Sequence, residues 1–170
     1  MINRKTIAAT LLAGCLVAGS AFASDADILR EAKDRADITQ LMWNYVRALD
    51  TLNEDAYAKV FTDDGEFHTG NAVEKGPEQL KKIILDVKKR RAESEAKGVK
   101  STAMYHVITN SNIEFMDKDH ARYYSYWMTM FAGAAPGESA RAAAVGHGVD
   151  DLVRVKGKWL IQKRDVAPKD

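Results

Sequence analysis

Residues 102–131 read TAMYHVITNSNIEFMDKDHARYYSYWMTMF, and this stretch decides the fold class. Its two halves, 102–116 and 121–131, are dense in β-branched and aromatic residues, which suit a pleated, half-buried surface. Asp117-Lys118-Asp119 joins them, so the stretch predicts a β-hairpin. A loop over 133–139, with Pro136 and Gly137, leads to a second predicted hairpin. Its strands are 141–155 and 159–166, joined across Lys156-Gly157-Lys158.

Upstream, the period changes from two to 3.6. Ile38, Leu41, Met42, Tyr45, Val46 and Leu49 recur at helical spacing, predicting an amphipathic helix over 28–52. Asn53, followed by Glu54 and Asp55, reads as the N-cap of a short second helix running to Phe61. Asp63-Asp64-Gly65 reads as a turn and 66–69 as a short strand. Gly76-Pro77 opens a third helix, with Leu80, Ile83, Ile84 and Val87 as its buried stripe and Gly98 at its end. Lys88, Lys89, Arg90 and Arg91 on that helix read as a solvated face, because Glu93 and Glu95 follow and dilute the charge. Helices first and an antiparallel meander afterwards make an α+β domain, with three N-terminal helices packed on one side of a curved antiparallel sheet.

The 170 residues suffice for one core and hardly for two. Residues 1–23 read as a signal peptide. Arg4 and Lys5 precede an uncharged apolar run over 6–19, and Ala21-Phe22-Ala23 forms a cleavage site before Ser24. The expectation is an exported protein, periplasmic or secreted, whose single domain spans 24–170. Leu12-Ala13-Gly14-Cys15 resembles a bacterial lipobox, so lipidation at Cys15 is the alternative, and the only one that would place the protein on a membrane. Cleavage removes two of the 25 basic residues and none of the 24 acidic ones, leaving 23 against 24. That balance gives no electrostatic case for nucleic acid. The single Cys goes with the leader, so the mature chain has no thiol chemistry. The four His show no i, i+4 pair, so no metal site is expected. No phosphate-binding glycine loop or G-x-S-x-G elbow is present, so hydride transfer and acyl-enzyme chemistry lack support, and no cofactor is expected.

Several motifs are similar to one family. Tyr45-Val46-Arg47-Ala48-Leu49-Asp50, Asp55-Ala56-Tyr57 and Val60-Phe61-Thr62-Asp63-Asp64-Gly65 resemble the opening of the SnoaL-like branch of the nuclear transport factor 2-like superfamily. His106 to Asn110, with Ile113-Glu114-Phe115, resembles its first long strand. Asp150-Asp151-Leu152-Val153-Arg154, Gly157 to Ile161 and Arg164 resemble its closing hairpin. The resemblance implies a cone of three helices over a strongly bent sheet, enclosing an apolar cavity open at one end. Scytalone dehydratase, bile acid dehydratase and ketosteroid isomerase are built this way, and so are proteins without known chemistry; fold alone does not choose between them.

The resemblance also points to Tyr45, Asp50 and His106 as catalytic residues. A neutral His or a desolvated carboxylate can take a proton from carbon beside a carbonyl, and a Tyr hydroxyl can stabilise the enolate that forms. Each has a plainer reading. Tyr45 lies in the apolar stripe and serves equally as core. Asp50 is about 140° from Tyr45 around a helix and could cap the turn that follows. His106 shares a strand face with Ile108 and Asn110, which is either concave or convex. Candidate ligand-binding residues are Trp43, Phe61, Asn110, Tyr126, Met128 and His147. His147 lies between Gly146 and Gly148, where backbone can approach closely or bulge. Asp150 and Asp151 read as a solvated strand end, with a carboxylate placed opposite His106 as the alternative. The expected function is binding of a small, largely apolar molecule, with dehydration or isomerisation as its chemistry. The alternative is a ligand-binding or dimerisation module of the same fold, and a homodimer is expected.

Overall fold

Ser24 accepts a hydrogen bond from the Asp27 backbone N–H and caps α1, Asp25–Asp50, in a computed structural model that describes residues 24–169. The signal-peptide and lipobox assignments lie outside those residues. Ile38, Leu41, Met42, Tyr45 and Ala48 form the buried stripe of α1. Full burial of such a side chain stabilises by about 1.5–3 kcal/mol, so this stripe, more than helix propensity, holds α1 to the sheet. Asn53 caps α2, Glu54–Lys59, through the Ala56 N–H. That helix stops short of Phe61, which instead starts a strand.

The strand is β1, Phe61–Thr69, and it runs straight through Asp63-Asp64-Gly65, where the sequence reading placed a turn. The chain accommodates the extra residues as a register shift between Phe61 and Glu66. A Cβ on Gly65 would lie 2.8 Å from Phe61 Cβ and 3.0 Å from the Thr62 carbonyl, so the irregularity needs glycine there. Gly70, at φ 64°, turns the chain into β2, Ala72–Lys75, a strand the sequence reading missed. The β1–β2 hairpin therefore precedes α3, Gly76–Ala96, and the helices do not all come before the strands.

The meander follows as expected: β3 (Met104–Phe115), β4 (His120–Phe131), β5 (Arg141–Val155) and β6 (Lys158–Asp165). The sheet order is β2-β1-β6-β5-β4-β3. Every neighbouring pair is antiparallel except β1 with β6, because β1 returns to the sheet from the helical side. Register shifts in β1, β3, β5 and at the β4–β5 pairing bend the sheet. The result is the expected α+β cone, helices on the concave face. One buried polar contact ties α1 to the closing hairpin: Asp34 accepts from Arg154 Nη2 at 2.5 Å and from Trp159 Nε1 at 3.3 Å.

Candidate functional site

Asp50 ends α1, and its carboxylate reaches across to β3. Its Oδ1 accepts the backbone N–H of His106 at 2.9 Å and lies 2.8 Å from Nδ1 of the same residue. The side chains are 7% and 16% exposed, so the contact is largely dry. Asp50 does not cap the turn into α2; Asn53 does. With Nδ1 engaged by the carboxylate, Nε2 is the ring nitrogen without a protein partner among the described residues, on a side chain that lines a cavity.

That cavity holds about 210 Å³ and is walled chiefly by apolar groups, among them Ile108 and Trp127, with Tyr45, His106, Thr129 and Arg164 as its polar members. Tyr45 is a core residue that also borders the cavity. Its ring packs against Tyr57 and Phe61, 5.4 and 6.3 Å between centroids, and one edge of the residue lines the cavity. The 140° offset from Asp50 is resolved by His106, which faces the cavity while Asp50 stands behind it.

Arg164 on β6, part of the closing-hairpin motif, is not among the candidate site residues that the sequence offers. It is 1% exposed, its guanidinium lies 4.3 Å over the Tyr45 ring, and it is ion-paired to Asp150, which is fully buried. Asp150 is thus no solvated strand end. Burial pushes its carboxyl up to about 7, against the opposing pull of Arg164. Burial disfavours the charge on Arg164, but Asp150 and the Tyr45 and Tyr57 phenols outweigh that and raise its pKa. Asp150 Oδ1, Arg164 Nε, Ser125 Oγ and Tyr57 OH are buried without hydrogen-bond partners among the described residues, and of these four residues Arg164 lines the cavity. The sequence signal for the pair was strand phase: register sets Asp150 opposite Arg164.

Most of the expected lining residues are elsewhere. Trp43 is 60% exposed, one helical step off the buried stripe. Phe61 is sealed in the core beside Tyr45 and Tyr57. Asn110 is exposed, because a bulge between Thr109 and Asn112 puts it at φ 50° and breaks the alternation from His106. Tyr126, Met128 and His147 lie on the other face of the sheet; α1 covers the face of Tyr123, Ser125 and Trp127. Gly146 and Gly148 do mark a close approach. A Cβ on Gly146 would lie 2.6 Å from Trp127 Cζ2, so the missing side chains admit the indole. Its Nε1 then donates to the His147 and Val166 carbonyls, each at 3.1 Å.

Solved structures share this architecture. A Mycobacterium tuberculosis protein of unknown function is 22% identical with a TM-score of 0.69, covering 84% of this chain and 75% of its own. An NTF2-like protein with a cystatin-like fold from Novosphingobium aromaticivorans is 22% identical with a TM-score of 0.67, covering 82% and 84%. The hexachlorocyclohexane dehydrochlorinase LinA-type3 of Novosphingobium barchaimii is 21% identical with a TM-score of 0.64, covering 81% and 88%. At such identities the likeness speaks for the fold alone. No curated protein sequence matches the chain. Residues 30–165 match the SnoaL-like domain across helices, cavity and closing hairpin, and the chain belongs to that family.

Proposed function

We propose that the protein is a small-molecule lyase or isomerase in which His106, oriented by Asp50, takes a proton from carbon on a largely apolar molecule held in the cavity. The double engagement of Asp50 Oδ1 with the N–H and Nδ1 of His106 carries this reading. A carboxylate so placed favours the tautomer with its proton on Nδ1, which leaves the Nε2 lone pair as the base. Arg164 and Tyr45 share the cavity, and hydrogen-bond donors already fixed in a dry site, a guanidinium and a phenol, favour the anion that develops as the proton leaves. Departure of a β-substituent completes an elimination; return of the proton at another carbon gives an isomerisation. One of the similar folds belongs to a dehydrochlorinase, a name that describes an elimination.

Ring opening of a nitrobenzisoxazole tests the base without knowledge of the natural substrate. The base removes the carbon-bound proton, the N–O bond breaks, and the coloured phenolate is read by absorbance. Asp50→Asn should lower the rate by about 10²–10⁴ and His106→Ala should remove it. A His106→Ala rate equal to that of the unaltered protein overturns the catalytic reading and leaves ligand binding without chemistry.

Two further features belong to the same proposal. The leader pattern supports export, which the mature N-terminus would test: Ser24 for ordinary cleavage, a lipidated Cys15 for the alternative. The outer sheet face supports a homodimer, because Tyr105, Tyr126 and Val145 stand there 50%, 55% and 66% exposed on adjacent strands.

A further inference from the structure

Of the basic run on α3, Lys88, Lys89 and Arg90 are exposed and Arg91 is half-buried. Lys88 Nζ is 2.5 Å from Glu54 and Lys89 Nζ is 3.9 Å from Glu93. Arg90 and Arg91 instead line a groove with Lys100 and Arg141, floored by Met104 and Phe131. None of the four cations is ion-paired among the described residues. Asp86 pairs with Lys82 at 2.6 Å and feels Arg90 only through space, and Glu138 accepts from the Ala134 and Ala135 N–H groups. The arginines do not serve the end of the helix, since its last turn holds no basic residue. Arg141 lies 4.9 Å over the Phe131 ring, fixing its guanidinium at the groove. Arg91 Nη2 is closed off from solvent and has no acceptor among the described residues. A buried guanidinium nitrogen in that state is costly unless an anion meets it.

The groove adjoins the His106 cavity. His106, Thr129 and Ala144 are register partners across three strands and line the cavity. Met104, Phe131 and Arg141 form the corresponding row in the groove. Along β3 and β4 the rows are two residues apart, about 7 Å at the usual strand rise. We propose that the groove binds the oxyanionic head of the molecule whose apolar body occupies the cavity, so that the ligand class is an apolar acid. This rests on the cavity being the ligand site, and it explains how about 210 Å³ of cavity can serve a longer molecule.

Calorimetric titration with octanoate, octyl phosphate and neutral octanol tests it. Both anions should bind at least about tenfold tighter than octanol at low ionic strength, and the advantage should shrink at about 0.5 M salt, where charge interactions are screened. A difference between the two anions identifies carboxylate or phosphate as the preferred head. Arg91→Gln with Arg141→Gln should bring the anions down to the level of octanol and leave octanol unchanged; should that variant fail to fold, exposed Lys100→Gln should still reduce the preference. Equal binding of all three probes, or a preference that survives the substitutions, overturns the proposal while the cavity reading stands. Anion binding that depends on the arginines without any octanol binding supports the anion site and overturns the cavity reading. Binding of none overturns both.

Discussion

Asp150 and Arg164 face each other across β5 and β6, and neither is more than 1% exposed. An ion pair so placed gains strong attraction but has lost the hydration of both groups, so removing one partner is worse than removing both. Above about pH 7, where Asp150 is ionised, Asp150→Ala should cost about 3–5 kcal/mol in chemical denaturation by leaving Arg164 uncompensated. A loss below about 1 kcal/mol would show that the pair is not closed off in solution.

The two buried carboxylates should respond to pH in opposite directions. The folded-state pKa of Asp150 lies above its ordinary value, about 7 against 3.8. The native state therefore holds its proton more tightly, and this contribution, complete below about pH 4, is lost as pH rises through about 7. Burial pushes Asp34 up too, but hydrogen bonds from Arg154 and Trp159 outweigh it and hold the carboxyl below its ordinary value of 3.8. Its contribution is present above that value and lost as pH falls through the depressed one. In denaturation curves, the stability advantage over Asp150→Asn should shrink between about pH 4 and pH 7, and the advantage over Asp34→Asn should shrink below about pH 4. Parallel pH dependence in the two variants would contradict the structure.

Gly146→Ala should displace Trp127. The added Cβ would meet the indole at 2.6 Å, and the ring is held by two hydrogen bonds from Nε1, so it cannot turn aside freely. Overpacking of this kind costs about 1–3 kcal/mol. The indole must move into the cavity or give up its bonds. A lower Tm with weaker octanol binding is the expected pair of results; unchanged values in both would mean the indole does not sit against Gly146.

On the outer sheet face, Val145→Lys should separate the proposed homodimer. Val145 pairs in register with Met128, which pairs with Val107, so a charge there would be buried at the centre of an apolar contact. Sedimentation should show a dimer for the unaltered chain and a monomer for the variant. A monomer for both would refute dimerisation through this face.

Local chemistry was legible wherever one element decides it. The stripe from Ile38 to Leu49 specified α1, the turn residues after Met116 and Val155 specified both hairpins, and Asn53 announced the cap of α2. Period and capping depend on neighbours in the chain, so sequence alone determined the helices, the meander and the residue types offered to a site. It also separated the two faces of β4, Tyr124-Tyr126-Met128 from Tyr123-Ser125-Trp127. Which face turned inward was decided only when α1 settled on one of them, because burial is a property of the partner surface and not of the strand. The same holds for Asp50, whose carboxylate found His106 across 56 positions of chain. It holds for Arg164, too, whose charge is tolerable in the interior only because register sets Asp150 beside it. Alternation says that two residues share a side; tertiary packing says which side is dry, and the dry side holds the candidate chemistry.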